Sequence, residues 1–270
     1  MLCKYVKVSK MHDYQDKNSI HITVIPKIVV ITGSGSGEAG RRMEVVDMQD
    51  PTFKCSKTNF PINVYGASGG QIDDTILVCG GDAGGYSSAC YSLEENGNWK
   101  YDGNASLNTA RNYAATGSVI MNNSLVIAGG YRGSSLSSIE LASPNTKSRT
   151  LDTNLYMNVY GACIVKWNET TVLVIGGYYS QGYYSYQKSR SETYFYNLFN
   201  NTRTPGPSMR TRRYHAACQE IVINGESFII VVGGHGYNSP ESTTEVLSKS
   251  AFKNGWKYGK NSKNGQLGMK

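Results

Sequence analysis

Three observations predict an all-β fold built from repeats of nearly fifty residues. An apolar strand ending in a glycine pair recurs along the chain. A tyrosine followed two residues later by an alanine precedes each full pair. Glycine (30 residues) and tyrosine (20) are abundant while charged residues are 17%, which suits short strands and tight turns rather than helices.

In order along the chain, ILVCGG ends at Gly80-Gly81, LVIAGG at Gly129-Gly130, LVIGG at Gly176-Gly177 and IIVVGG at Gly233-Gly234. A degenerate unit, KIVVITGS, precedes them with Gly33-Ser34 in place of the pair. The first glycines are 47, 49, 47 and 57 residues apart, and the long last step contains an insertion at 178–190. The tyrosine mark lies 15 to 19 residues before each full pair, in Asn63-Val64-Tyr65-Gly66-Ala67, Arg111-Asn112-Tyr113-Ala114-Ala115, Asn158-Val159-Tyr160-Gly161-Ala162 and Arg212-Arg213-Tyr214-His215-Ala216. After each pair the pattern predicts a loop and a short third strand, at Met43–Asp47, Cys90–Leu93, 139–142, 192–196 and Thr244–Ser248. Fourth strands follow, carrying Trp99 and Trp256 in two units and lying near 147–150 and Thr202–Pro205 in the two that lack the tryptophan. Glycine pairs permit positive φ and close backbone approach where a strand ends, and an outer tryptophan can cover the next blade with a large apolar face.

This order of strand, glycine pair, loop, strand and tryptophan resembles the kelch repeat of β-propellers, over 27–258. The shorter WD40 period and its WD dipeptide are absent, and GH occurs once, at Gly234-His235, rather than once per repeat. The resemblance implies a kelch-type β-propeller of five recognisable four-stranded blades, with a sixth completed by the termini, or an open ring, as alternatives. Residues 1–26 are then an N-terminal segment belonging to a first or closing blade, and 259–270 a basic tail. An open ring would leave unpaired strand edges.

The net charge of +7 does not point to nucleic acid, because six lysines and no carboxylate fall within 248–270. No apolar stretch reaches the ~18–20 residues that span a bilayer, so no membrane insertion is expected. Residues 1–10 lack the apolar core of a secretory signal, which favours the cytoplasm unless the N-terminus is incomplete. Six cysteines without CxxC spacing suggest neither a zinc site nor a disulfide scaffold. Cys79 and Cys90 flank one glycine loop and can bond in an oxidising compartment, whereas Cys163 and Cys218 read as buried small hydrophobes. Four N-x-S/T sequons, at Asn104, Asn122, Asn168 and Asn200, match what chance would give and leave the compartment open.

In kelch propellers one face is formed by the loops after each glycine pair and the loops entering each inner strand. The resemblance therefore implies a partner site at Asn63, Arg111, Asn158, Arg212 and Arg213, joined by Asp82, Tyr131, Arg132, Tyr178, Tyr179 and His235. Arginine forks match carboxylates and tyrosine offers flat, polar-tipped contact area, so the expected partner is an acidic or polar peptide, with a glycan as the alternative. The competing reading is that an inner-strand arginine braces blade carbonyls. The insertion, with Tyr183 and Tyr184 beside Tyr178 and Tyr179, has the composition of a binding loop.

An enzyme is not expected, and neither a metal nor a cofactor. Four histidines are too few for a copper site like that of the kelch-related galactose oxidase, and His215 is expected against inner-strand packing. The sialidase Asp box, P-loop and HExxH are absent; a G-x-S-x-G match occurs at Gly66-Ala67-Ser68-Gly69-Gly70, but at the entry to a repeat strand and without the strand-to-helix turn that motif needs. The expectation is thus a non-catalytic interaction module, of the substrate-receptor or cytoskeletal-adaptor kind by resemblance. The residues before Lys27 are too few for a BTB domain, so the ubiquitin-ligase role belongs only to a longer chain. A secreted or surface propeller binding glycans or proteins is the alternative.

Overall fold

The computed structural model describes residues 59–94, 97–181, 187–236 and 239–259, together with Arg41 and the backbone of four N-terminal strands. Five antiparallel sheets, each of four strands, follow one another along the chain. The first contains β1 (Lys4–Val8), β2 (Lys27–Ile31), β3 (Met43–Asp47) and β4 (Lys54–Cys55). The second contains β5 (Ser68–Ile72), β6 (Thr75–Cys79), β7 (Cys90–Leu93) and β8 (Trp99–Tyr101). The third is β9 (Ile120–Met121), β10 (Ser124–Ala128), β11 (Ile139–Ser143) and β12 (Thr146–Thr150). In the fourth, β13 (Cys163–Lys166) and β14 (Thr171–Ile175) are separated from β17 (Thr193–Asn197) and β18 (Thr202–Pro205) by a hairpin, β15 (Tyr178–Ser180) with β16 (Gln187–Ser189). The fifth is β19 (Ala217–Ile223), β20 (Glu226–Val232), β21 (Thr244–Ser248) and β22 (Lys257–Tyr258). The four sheets with described side chains are arranged as propeller blades, and no described helix is long and apolar enough to cross a membrane.

The second strand of each blade is apolar at nearly every position because it feeds two cores. Successive strand side chains point to opposite faces. Leu125 and Ile127 of β10 pack with Leu77 and Cys79 of the preceding blade, while Val126 and Ala128 pack with Val172 and Val174 of the next. Leu173 and Ile175 of β14 continue the pattern towards Ile229 and Val231. Outer strands are polar: Lys147, Arg149 and Arg203 are exposed on β12 and β18, charges that discourage edge-to-edge pairing. Trp99 packs edge-on against Phe60 at 4.8 Å, and buried Trp256 joins Leu173 and Phe195 and donates to Pro207 O at 2.8 Å. Trp256 therefore covers the preceding blade rather than the next.

The glycine pairs are the joints between blades. The second glycine of each of the first three full pairs donates to the next unit's entry loop: Gly81 N to Arg111 O (2.8 Å), Gly130 N to Val159 O (2.9 Å) and Gly177 N to Arg213 O (2.9 Å). Gly80 has φ of 71°, and a Cβ there would stand 2.7 Å from Arg111 O, so a side chain would force the blades apart.

Two expectations are corrected. Cys163 and Cys218 are not merely buried small hydrophobes: they form a disulfide between β13 and β19, inner strands of neighbouring blades, and a second disulfide joins Cys79 to Cys90. The tyrosine mark also slips by one residue in the third sheet. Tyr65, Tyr160 and Tyr214 bridge the residue after their glycine pair, and there the bridging residue is Asn112, opposite Tyr131. Tyr113 instead occupies the next position, where Gly66 (φ 66°), Gly161 (φ 59°) and His215 (φ 53°) are also left-handed and Tyr113 itself has φ of 49°.

Candidate functional site: an aromatic array at the glycine end

The left-handed residues build a collar around the end of the blades where the glycine pairs lie. Tyr113 N donates to Gly66 O at 2.9 Å, Gly161 N to Tyr113 O at 2.7 Å and His215 N to Gly161 O at 2.7 Å, linking four successive units. This backbone turn aims side chains into the collar. The Tyr113 ring lies over Gly66, and the His215 ring over Gly161, where a Cβ would stand 2.7 Å from Nδ1. Glycine at 161 is thus favoured by its φ, and what requires it is the neighbouring ring.

Around this collar nine aromatic rings form one connected array. Tyr160 stands near its middle, 5.3 Å from Tyr131, 5.4 Å from Tyr178, 5.9 Å from His215, and 6.3 Å from both Tyr113 and Tyr214. Tyr113 meets His215 edge-on at 4.8 Å and Tyr65 at 5.9 Å. Tyr86 extends the array from Tyr131 at 5.9 Å, and His235 from Tyr214 at 5.5 Å. Tilted and edge-on pairs are the arrangements aromatic quadrupoles favour. Tyr65 and Tyr86 are 38% and 41% exposed, so the array offers solvent both ring surface and hydroxyls.

Burial among its neighbours pushes the Tyr160 phenol far above the usual phenol range, with Tyr178 and Tyr214 adding to the effect. Tyr65 is raised first by its hydrogen bond to Asp82 and then by burial, and Tyr113 by burial and then by Asp82. All three stay protonated at neutral pH and act as neutral hydrogen-bonding groups. Asp82 also accepts from Gly84 N (3.1 Å) and Gly85 N (2.9 Å), so its carboxylate holds the post-glycine loop in place.

The arginines divide. Arg111 and Arg213 are each 1% exposed and are withdrawn from any partner-facing surface. Arg111 donates from Nη1 to Gly129 O (2.7 Å) and Ser138 O (3.0 Å) and from Nη2 to Ser138 Oγ (2.9 Å), and it pairs with Glu140. Arg213 repeats this on Gly233 O, Thr243 O and Thr243 Oγ1, each at 2.9 Å, and pairs with Glu245 at 2.9 Å. Each glutamate also closes the entry loop: Glu140 accepts from Asn108 N and Thr109 N, and Glu245 from Arg210 N and Thr211 N. Burial lowers the Arg111 pKa, and Glu140 opposes that shift. Here the blade-bracing reading of the arginines holds. The resemblance put them at the mouth because it fixed only their place in the chain, and a guanidinium with buried carbonyls and a carboxylate in reach turns inward.

Of the other expected residues, Tyr131, Tyr178 and His235 belong to the array. Asn63, Arg132 and Arg212 are exposed and Asn158 is half-buried. Tyr179 lies under the Arg190 guanidinium at 5.5 Å, and Arg190 pairs with Glu192 at 3.5 Å. Tyr183 and Tyr184 lie outside the described residues. Sequence reasoning missed Tyr65, Tyr86, Tyr113, Tyr160, Tyr214 and His215 as surface residues. The signal was present, since four of the tyrosines are the repeat mark itself, read only as a mark of strands. His215, expected against inner-strand packing, stands in the array beside Tyr113, Tyr160 and Tyr214. Among the described residues no group of three or more His, Cys, Asp and Glu side chains is placed to hold a metal ion.

Comparison with models of protein families finds no match, and neither does comparison with curated protein sequences. The fold does match solved structures. One of them, described as YjhT, superposes with a TM-score of 0.68 over 87% of this chain and 81% of that one, at 12% identity. YjhT is a β-propeller. At that identity the likeness establishes the propeller fold and nothing about a ligand.

Proposed function

We propose that the chain is a kelch-type propeller of five blades, the sheet β1–β4 being the first, and that it is a non-catalytic recognition module of an oxidising compartment. Its ligand is a polar, weakly charged segment of a partner protein laid across the aromatic array. The single observation that carries this reading is the array itself: nine connected rings where loops of four blades converge. Tyrosine supplies large, rigid, amphipathic contact area at small entropic cost, and loops on a rigid scaffold are where binding residues gather. The kelch type is supported by the repeat period and by the glycine pairs at the blade joints. The compartment is supported by the two disulfides, which persist where glutathione does not reduce them.

A glycan is the second reading. It is favoured by Asn112 Oδ1, a buried acceptor beside the array that has no hydrogen-bond partner among the described residues. Tyr65→Ala and Tyr86→Ala remove the two exposed rings, and both variants are to be titrated against peptides from a displayed library and against immobilised oligosaccharides. Peptide ligands selected on the wild-type protein should lose at least ~10-fold in affinity in each variant, with cooperative unfolding retained. Selected peptides that ignore both substitutions would sink the proposal. Oligosaccharides that bind and lose affinity in the same variants, without any peptide doing so, would replace it with the glycan reading.

A further inference from the structure

The end of the propeller opposite the glycine pairs has a different chemistry. There a groove of about 470 Å³ runs between the third and fourth sheets, its lining including Asn122, Ser124, Leu141, Lys147, Glu169 and Phe199. Phe199 is 81% exposed at the tip of the β17–β18 turn, a position with no packing reason for an aromatic ring. Three of the four sequons stand around this groove. Asn122 is in the β9–β10 turn and lines the groove. Asn168 directly precedes the lining residues Glu169 and Thr170, and Asn200 sits between the lining residues Phe199 and Asn201. All three asparagines are exposed.

Two of them share a local arrangement. Asn168 Oδ1 accepts from Thr170 N (3.0 Å) and Thr170 Oγ1 (3.2 Å), and Asn200 Oδ1 accepts from Thr202 N (3.2 Å) and Thr202 Oγ1 (2.7 Å). In each the sequon hydroxyl is engaged with the carboxamide oxygen, which leaves Nδ2 as the outward atom. The two turns are adjacent, since Thr171 pairs with Asn197 and Asn197 Nδ2 donates to Thr170 Oγ1 at 3.1 Å.

We propose that Asn122, Asn168 and Asn200 carry N-linked glycans that together roof this groove, with the innermost sugar on Asn200 covering Phe199. The glycan is attached when Nδ2 displaces a polyprenyl pyrophosphate from the anomeric carbon of a lipid-linked oligosaccharide. A C–N bond forms, the C–O bond to pyrophosphate breaks, and the departing amide proton leaves with the pyrophosphate. The roof explains an exposed phenylalanine beside a groove on a secreted surface, and it leaves the tyrosine end, where the described loops carry none of these three sites, as the face open to a protein partner. Asn104 is also exposed, but it lies beside β12, where its carbonyl accepts from Ser148 N at 3.2 Å, and it does not line the groove.

The inference rests on the oxidising-compartment reading, and the experiment separates the two. The full chain is secreted from insect or mammalian cells behind a cleavable leader, its free thiols are counted after denaturation, and glycosidase-treated peptides are mapped by mass spectrometry in heavy-oxygen water. Occupancy is expected at all three asparagines, and Asn122→Gln, Asn168→Gln and Asn200→Gln should each remove one glycan's mass. Enzymatic trimming of the folded protein back to the bare side chains, the innermost sugars included, should raise binding of an apolar dye, and Phe199→Ala should cancel that rise. Empty sequons in protein whose Cys79, Cys90, Cys163 and Cys218 are all oxidised would overturn the glycan roof. Free thiols at those positions in secreted protein would instead overturn the compartment reading, whatever the occupancy. Full occupancy with no dye response to trimming would refute the covering of Phe199.

Discussion

Replacing Arg111 alone should damage the protein far more than replacing it together with Glu140, and the molecule contains the reason. The four-stranded sheets are of two kinds at this joint. In the third and fifth, Arg111 with Glu140 and Arg213 with Glu245 fill the space between entry loop and third strand. In the second and fourth, the corresponding residues are Val64 with Tyr91 and Val159 with Tyr194, which pack together instead. The correspondence follows from the sheet register: Glu140, Glu245, Tyr91 and Tyr194 all pair with the residue two before a glycine pair. The same joint is therefore closed by a buried ion pair or by an apolar pair.

Arg111→Val removes the guanidinium and leaves Glu140, 0% exposed, with only the Asn108 and Thr109 amides for compensation. An orphaned buried charge of this kind costs about 3–5 kcal/mol, or roughly 6–20 °C of Tm for a domain of this size. Arg111→Val with Glu140→Tyr copies the fourth sheet and removes the charge altogether. It should recover about 2 kcal/mol or more, short of wild type because the Asn108 and Thr109 amides lose their acceptor. In the fourth sheet the amide of Tyr156 finds the Tyr196 hydroxyl at 2.8 Å, a partner the third sheet lacks. Denaturant unfolding of the four proteins of the cycle, with disulfides intact and Trp fluorescence as the signal, gives the coupling directly. Hydrogen exchange over β11 shows whether the loss is local. A single variant within 1 kcal/mol of wild type, or a double variant whose cost equals the sum of the two singles, would refute the reasoning.

Two further outcomes follow from chemistry already described. Removing the Cys163–Cys218 bond, which closes a separation of 55 residues, should cost on the order of 4 kcal/mol by loop closure, against about 3 kcal/mol for the 11-residue separation of Cys79–Cys90; paired Cys→Ala variants melted under identical conditions check the order. Tyr65, Tyr113 and Tyr160 have folded-state pKa values raised above the usual 10.0, so their contribution to stability is complete below pH 10 and declines as pH rises through the folded values. Ultraviolet titration should show fewer phenolates in native than in unfolded protein just above pH 10, and identical curves would count against the packed array.

The propeller was legible because its determinants are local and repeated. Gly80-Gly81, Gly129-Gly130 and Gly176-Gly177 are needed at each blade joint, so the chain prints them at each joint. The third strands were placed within one or two residues for the same reason, as at β7 and β21. The site was less legible because a repeat mark does not say which way a side chain turns. Tyr113 aligned by sequence with Tyr65 and Tyr160, yet it occupies the left-handed position beside them, where two other blades use glycine. A non-glycine residue with φ of 49° is disfavoured in isolation, so only the hydrogen-bonded collar of its neighbours could reveal it. Cys163 and Cys218 likewise look like strand filler until two inner strands from different blades are seen side by side.

The inward turn of Arg111 and Arg213 also changes what the glycine end can recognise, and salt is the test. Each guanidinium is matched by a buried glutamate, so neither contributes charge to a ligand. Of the charged residues expected there, Arg132 and Arg212 are exposed and Asp82 is half-buried, while much of the net charge of +7 comes from the six lysines of 248–270. An acidic partner held by the two exposed arginines would gain up to about 1 kcal/mol from each pair. Raising the salt from low to high would then weaken it by roughly tenfold, since the screening length falls from tens of ångströms to a few. A polar segment held by ring faces and phenol hydroxyls has no such dependence, and its affinity should change by less than about threefold over the same range. A steep loss of affinity with salt, abolished in Arg132→Ala with Arg212→Ala, would restore the acidic partner that the sequence suggested and displace the tyrosines from the centre of recognition.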